Sequence, residues 1–460
     1  MSALDSLFKA YDVRGTVPDQ LDARRAQAIG WAFARFARFA GAERLLVARD
    51  MRPSGVELAG AFATGARAAG VTVVDLGLAS TDLLYFASGK LDAPGAMFTA
   101  SHNPAAYNGI KLCLAGARPV GQDSGLGDVR SAAEKALADR SDQGPPSAGL
   151  QQADMIGAYA DHVRSFVDLA TLRPLKVVAD TANGMGGLVV PAVFEGLPFD
   201  VDILYPELDG TFPNHPADPI QPENLVDLKH AVLERHADVG LAFDGDADRV
   251  FLVDEQAAPV SGSLTTALVA RAMLDKYPGA TILYNLICSK VVPETIVEHG
   301  GTPVRTRVGH SFIKQVMAET GAVFGGEHSG HYYFRENYRA DSGIIAALIV
   351  LEVLCRSDQP LSQLLAPYRR YADSGEINTK VSDPARAVEE VAARQPGGVA
   401  VDRTDGLTVD HGDWWYNLRP SNTEPLLRLN VEAATDADCR RHVDEVLALV
   451  AEVPSGAPRR

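Results

Sequence analysis

RLLVARDMRPSGVELAGAFATGARAAGVTVVDLGLASTDLLYFASGKLDAPGAMFTASHNP, residues 44–104, carries the rhythm that decides the fold. RLLVARD, VTVVDLG and GAMFTA are short apolar runs of strand length, and the stretches near 55–69 and 82–90 between them space their apolar residues as helices do. Strands that alternate with helices need crossover connections, which indicates βαβ units and a parallel or mixed sheet.

Working outward, the same rhythm recurs. DRSDQGPPSAGL, residues 139–150, is rich in Gly, Pro, Ser and charge and reads as a linker. A second α/β stretch follows, with a helix expected over 154–170, the strand LKVVADTANG and the strand VGLAF running into DGDADR. A third runs from about residue 254 through TILYNLICSK and GAVFGGEHSGHYYF to the helix GIIAALIVLEVL. Beyond DQPLSQLLAPYRRY the pattern changes to short alternating strands such as LLRLNVEA and a closing helix over 436–453, a separate α+β unit. The expected domains are 1–143, 144–253, 254–366 and 367–460.

Composition narrows the function. Apolar residues are 46% of the 460 and charged residues 22%, ordinary globular usage that can bury a sizeable core. The net charge of -16 repels polyanions, so nucleic acid and anionic membranes are not expected partners, although a local basic pocket can still take a small phosphorylated substrate. Four scattered cysteines form no C-x-x-C pair and read as reduced thiols. The longest apolar run, IIAALIVL, is too short to span a bilayer, and a cytoplasmic protein is expected.

Four motifs bear chemistry. In TASHNPAAYNG, residues 99–109, Ser101 has three readings: a turn or cap, a hydrolase nucleophile with His102, or a phosphoryl carrier. The hydrolase reading is weak because the G-x-S-x-G elbow is missing and adjacent side chains seldom face each other. In VGLAFDGDADRVFLVDE, Asp244, Asp246 and Asp248 alternate between two apolar runs; such carboxylates repel unless they share a cation. Glu255 completes an EF-hand-like spacing, but Arg249 replaces the glycine that the EF-hand turn needs, which favours a Mg²⁺ site with few protein ligands. GGEHSGHYYF puts Glu327, Ser329 and His331 at alternate positions, on one side of an extended loop, where they suit a polyhydroxylated ligand or an ordinary Gly-rich turn equally. RPSNTEP sets Arg419 beside Ser421, Asn422 and Thr423, either a phosphate cradle or a simple turn.

FKAYDVRG, TASHNP, DGDADR, GEHSGH and RPSNTEP stand in the order and approximate spacing of the α-D-phosphohexomutases, and the chain resembles the phosphomannomutase/phosphoglucomutase branch over nearly its whole length. The resemblance implies three related α/β mixed-sheet domains plus a fourth α+β domain around a central cleft, each contributing one loop. It implies that Ser101 carries the phosphoryl group and, as an exposed turn hydroxyl, contributes little to the core. It further implies that Asp244, Asp246 and Asp248 bind Mg²⁺ with a phosphate oxygen on Ser101. Glu327 and Ser329 would hold sugar hydroxyls, and Arg419, Ser421, Asn422 and Thr423 the phosphate that is not reacting. Tyr11, Arg14, Lys111, Arg249 and His310 would line the cleft as cationic or proton-handling groups, with His331 or His310 shuttling a proton.

The expected reaction is interconversion of hexose 1-phosphate and hexose 6-phosphate, of mannose or glucose, through a hexose 1,6-bisphosphate that turns end over end. YDVRG and His328 stand where phosphoglucosamine mutases carry a TDGIRG-like segment and a Gln, which disfavours glucosamine. A metal-dependent phosphatase and a calcium-binding module are the rival readings. A monomer or small homo-oligomer is expected.

Overall fold

The computed structural model describes residues 4–139, 144–420 and 426–453. Among these, four sheets follow one another along the chain. In the first, Val13–Thr16, Tyr107–Leu114, Gly95–Phe98, Arg44–Arg49, Thr72–Leu78 and Leu150–Gln152 lie side by side, with Arg118–Pro119 added on Tyr107–Leu114. The second orders Pro259–Val260, Val250–Asp254, Val239–Phe243, Leu175–Asp180 and Phe199–Leu204. The third orders Thr302–Thr306, Thr281–Asn285, Phe324–Gly326 and Tyr332–Phe334. The fourth is antiparallel throughout and carries the helices Pro384–Ala393 and Asp436–Ala451. This is the α/β architecture with an α+β last unit that the sequence implies.

One motif repeats in the first three sheets. A strand parallel to one neighbour (Gly95–Phe98, Val239–Phe243, Phe324–Gly326) runs into a loop and returns as an antiparallel strand on its other side. Side chains presented just past the end of a parallel strand are held by the sheet on one side and open on the other, a common setting for ligand sites in α/β folds.

The first three units share one core. Leu46 and Met97 of the first sheet, Val177 and Leu241 of the second, and Ile282 and Phe324 of the third belong to one buried cluster. The helix Gly343–Cys355 lies inside it with residues on every face buried, which accounts for the apolar run IIAALIVL: it is a core helix. Among the described residues no helix is long and apolar enough to cross a membrane. The fourth unit has its own core around Tyr416, Leu429 and Val446. It meets the third through polar groups, including Lys290 Nζ to Asp410 at 2.7 Å and Arg305 to Asp402 at 3.0 Å.

Two details depart from the sequence reading. The helix expected over 154–170 is α-helical only over Ile156–Arg164, and a separate 3-10 turn follows at Leu169–Thr171. Asp168 gives the reason, since its N–H donates to Glu352 and its carboxylate caps Ala170, bonds that a continuing helix would forbid. The helix Pro384–Ala393 has no counterpart in the sequence reading, although Asp383 caps it and Ala387, Val388 and Val391 form its buried stripe. The segment read as a linker runs along the first sheet, with Arg67 donating to Ala148 O at 2.9 Å before Leu150–Gln152 joins the edge. Residues 140–143 of that segment lie outside the described residues.

Candidate active site

Ser101 closes the first of the repeated loops. Its φ of 49 places a non-glycine residue in the left-handed region, and two backbone bonds hold it there: its N–H donates to Thr99 Oγ1 at 2.9 Å and its carbonyl accepts from Arg52 at 2.9 Å. The hydroxyl then donates to Asp244 Oδ2 at 2.7 Å, with His102 Nδ1 at 3.3 Å. Ser101 is only 2% exposed, so the expectation of an exposed turn hydroxyl is corrected. The aspartate loop covers it: Gly245 lies against the Ser101 carbonyl so closely that a β-carbon there would stand 2.5 Å from the oxygen.

Asp244, Asp246 and Asp248 are all buried, and one oxygen of each falls within 4.8 Å of the others. Lys111 Nζ, from the returning strand of the first loop, donates to Asp246 at 2.8 Å and Asp248 at 2.7 Å. Thr81 adds a hydroxyl to Asp246 at 2.5 Å. Burial pushes the Asp246 carboxyl up, but Lys111 and Thr81 outweigh it and hold the group below the usual range. Asp244 is driven well up by burial and by Asp248 and Asp246, because neither cation bonds it closely: Arg249 Nε stands 3.5 Å away. Burial would lower Lys111, yet Asp246 and Asp248 raise it well above its ordinary value, so it is charged. Asp246 Oδ1 and Asp248 Oδ1 are buried with no hydrogen-bond partner. Orphaned carboxylate oxygens beside a carboxyl that resists ionisation are what a small, hard divalent cation would satisfy, so the donor set fits a metal.

The third loop meets the second through Arg249 and His331, whose backbones form a bridge. Arg249 Nε donates to His331 Nε2 at 3.1 Å, so that nitrogen carries no proton; Nδ1 therefore holds the hydrogen and donates to Ser329 Oγ at 3.0 Å. Burial, then Arg249, pulls His331 down to about 4, which keeps it neutral. Glu327 is buried and accepts from Asn285 at 3.0 Å and Tyr333 at 2.5 Å. Burial raises its carboxyl. Glu327, Ser329 and His331 do converge, but through a turn and not through the alternation of an extended loop: Gly330 N–H donates to Glu327 O, and Gly330 takes φ 84. His328, the intervening residue, faces away to Ser263 Oγ at 2.9 Å.

The other expected residues lie around this centre. Arg14, on Val13–Thr16, is held between Asp12 and Asn103 of the Ser101 loop. Tyr11 donates to Val308 O at 3.2 Å, and burial raises its phenol. His310 opens the helix His310–Thr320. Arg419, near the end of Trp414–Pro420, is paired with Glu376 at 2.8 Å. Ser421, Asn422 and Thr423 lie outside the described residues.

Several groups escaped the sequence reading. Asp50 and Arg52 sit wholly buried under the Ser101 loop, and Lys314, 3% exposed, pairs with Asp341 at 3.0 Å over the Tyr85 ring. Asp82 accepts from Tyr159 at 2.5 Å, from Ser342 at 2.6 Å and from Ser80, tying residues of the first three units together beside Thr81. The signal for Asp50 and Arg52 was present, since two charges directly after an apolar strand demand buried partners.

Known proteins carry the same plan. Residues 5–135, 157–257 and 261–371 match the families described as phosphoglucomutase/phosphomannomutase alpha/beta/alpha domains I, II and III, and residues 376–449 match its C-terminal domain. The chain is 42% identical over 435 residues to the phosphohexose mutases protein of Xanthomonas campestris pv. campestris, covering 94% of this chain and 95% of that one. It is 40% identical over 442 residues to the phosphomannomutase of Escherichia coli strain K12, covering 93% and 95%. A crystal structure of a Burkholderia thailandensis phosphoglucomutase/phosphomannomutase family protein superposes with a TM-score of 0.88 at 33% identity, covering 99% of each chain. The protein belongs to the phosphoglucomutase/phosphomannomutase family.

Proposed function

We propose that the protein interconverts hexose 1-phosphate and hexose 6-phosphate, with Ser101 as the phosphoryl carrier and mannose and glucose phosphates as substrates. One observation carries this reading: the Ser101 hydroxyl is locked 2.7 Å from an aspartate loop whose remaining carboxylates are bridged by Lys111. A serine that merely capped a turn would not need three buried carboxylates and a buried lysine before it. Asp244, Asp246 and Asp248, together with a phosphate oxygen on Ser101, would hold Mg²⁺, which supplies charge neutralisation for phosphoryl transfer when bound. Their orphaned oxygens support that assignment.

Phosphoryl transfer proceeds through a loose transition state, so the protein contributes position and charge. Lys111 and Arg249 neutralise charge at the Ser101 oxygen, and Arg14 faces the same loop through Asn103. His331, neutral and with its Nε2 electron pair turned toward Arg249, is placed to take a proton from a sugar hydroxyl once Arg249 swings to phosphate; His310 is the alternative proton carrier. Glu327 and Ser329 grip sugar hydroxyls, with Tyr11 at the rim. Arg419, Ser421, Asn422 and Thr423 take the phosphate that is not reacting, Arg419 exchanging Glu376 for it. Hexose 1,6-bisphosphate is both intermediate and activator. The reading includes the domains 1–143, 144–253, 254–366 and 367–460, a cytoplasmic location and a monomer or small homo-oligomer. A net charge of -16 is in keeping with a free phosphosugar as partner, not a polyanion.

The test is direct. Mass spectrometry of wild-type protein treated with glucose 1,6-bisphosphate should find phosphate on Ser101, and Ser101→Ala should fold but lose at least about a thousandfold in turnover, the scale of losing a nucleophile. Near wild-type turnover in Ser101→Ala, or bisphosphate-treated wild type that stays unphosphorylated, rejects the reading.

A further inference from the structure

Ser101 is held in an unfavourable backbone conformation, and a single buried side chain gathers the loop that holds it. Arg52 is 0% exposed, and all five N–H donors of its guanidinium have acceptors. Nη2 donates to the carbonyls of Ser101 at 2.9 Å and Asn103 at 2.7 Å; Nη1 donates to those of Pro104 and Tyr107, both at 2.9 Å. Nε donates to Asp50 Oδ2 at 3.2 Å, and Asp50 Oδ1 in turn accepts the Arg52 N–H at 2.9 Å. The loop over 101–107 is thus wrapped around one cation, its carbonyls turned inward.

The second unit seals the other side. The Phe212 ring lies 5.1 Å from the guanidinium carbon, and Gly210 packs so close to Arg52 that a β-carbon there would stand 2.5 Å from the Arg52 Cα. Arg52 is therefore boxed in between the Ser101 loop and a loop of the unit that carries the aspartates. It touches neither the Ser101 hydroxyl nor any atom that would react, so any effect on the reaction must pass through the backbone of Ser101.

We propose that Arg52 is the positioning residue that sets the aim of the Ser101 hydroxyl, an inference resting on Ser101 being the phosphoryl carrier. With the Ser101 carbonyl fixed by Arg52 and its N–H fixed by Thr99, the left-handed backbone leaves Oγ directed at Asp244. Without the guanidinium the four carbonyls lose their common donor. The residue can then relax toward ordinary φ values, because the left-handed region is unfavourable for a side chain with a β-carbon. The hydroxyl moves off the line between the sugar and the aspartate loop while the sugar-gripping residues of the third loop stay in place. The cost falls on the chemical step, not on binding.

Arg52→Lys tests this, since one ammonium with three donors cannot span four carbonyls and a carboxylate. Substrate KM should stay within about threefold, while kcat falls about a hundredfold, the scale of a misaimed reacting group. The single-turnover rate of label transfer from ³²P-hexose 1,6-bisphosphate to Ser101 should fall in parallel. A folded variant with wild-type kcat and labelling rate overturns the proposal, and so does one that raises KM while kcat is unchanged. Should Arg52→Lys fail to fold, Asp50→Asn decides. It keeps the four carbonyl bonds but loosens the guanidinium, and must lower kcat about tenfold at unchanged KM; wild-type kcat in it overturns the proposal. Wild type is the internal control. Label on Ser101 of wild type and equally on the variant refutes the role of Arg52 alone, whereas wild type that takes no label refutes the carrier reading beneath it.

Discussion

Replacing Gly245 by alanine puts one methyl group between the two loops that must stay in register. The new β-carbon would stand 2.5 Å from the Ser101 carbonyl oxygen, where ordinary contact begins at 3.4 Å, so the loops have to part by about 0.9 Å. Neither side yields easily: the carbonyl is anchored on Arg52, and Gly245 O accepts the Met185 N–H at 2.9 Å. Opened by that amount, the 2.7 Å bond between Ser101 and Asp244 lengthens to about 3.6 Å and ceases to be a hydrogen bond. A displacement near 1 Å at the reacting group costs about a hundredfold, or about 3 kcal/mol of barrier. Overpacking at one site removes about 1–3 kcal/mol of stability, so the protein should still fold. The assay couples glucose 6-phosphate formation to NADPH production by glucose-6-phosphate dehydrogenase, with glucose 1-phosphate as substrate and the bisphosphate present, beside a thermal melt. A folded Gly245→Ala enzyme with kcat within about threefold of wild type would refute the claim that contact between these loops sets the reactive geometry.

Lys111→Met leaves Asp246 and Asp248 facing each other in a buried site without their cation; urea unfolding should show a loss of about 3–5 kcal/mol, and added Mg²⁺ should restore part of it. Asp82, raised by burial to about 6 from 3.8, contributes stability that is fully present below its unfolded value and lost as pH rises through 6. Asp82→Asn has no such loss, so its stability relative to wild type should improve by about 2 kcal/mol between about pH 4.5 and about pH 7.5, as read from urea midpoints; a pH-independent difference would contradict the raised carboxyl. Because one cleft must accept the sugar in both orientations, Glu327 and Ser329 are expected to grip the C3 and C4 hydroxyls and to read C2 weakly. Mannose 1-phosphate and glucose 1-phosphate should then show kcat/KM values within about a hundredfold of each other, and a preference above about ten-thousandfold would mean a dedicated polar contact at C2.

What was legible in the sequence divides along a physical line. Strand and helix periods are local, so RLLVARD and VTVVDLG read correctly, and the alternate aspartates flagged a carboxylate cluster for the same local reason, one that the fold does bring together. The exposure of Ser101 was not legible, since it is buried by Gly245, whose position depends on the packing of a different sheet. The convergence of Glu327, Ser329 and His331 was expected from an alternation that the chain does not adopt; Gly330 makes the turn instead. Asp82 was invisible for the same reason as Ser101's burial, and so were the particular partners of Arg52, since charges after an apolar strand signal only that buried partners exist. Their partners are 49 and 55 residues along for Arg52 with Ser101 and Tyr107, and 77 and 260 for Asp82 with Tyr159 and Ser342, separations that no local pattern encodes.

If Ser101 is the phosphoryl carrier of the proposed function, the same long-range contacts let one set of side chains serve it both with and without that group. With all three ionised, Asp244, Asp246 and Asp248 would exceed Lys111 and Arg249 by one negative charge, and Asp244, the carboxyl pushed well up by burial and its neighbours, is the one that resists ionising. With the divalent cation of the proposed function in place the surplus becomes one positive charge, and a dianionic phosphoryl group on Ser101 returns it to one negative. The local charge therefore swings by a small amount about zero between the two states of the serine. A buried site of low effective dielectric penalises larger imbalances steeply. Neutral His331 belongs to this balance, because its unprotonated Nε2 accepts from Arg249 without adding charge while that guanidinium stands 3.5 Å from Asp244.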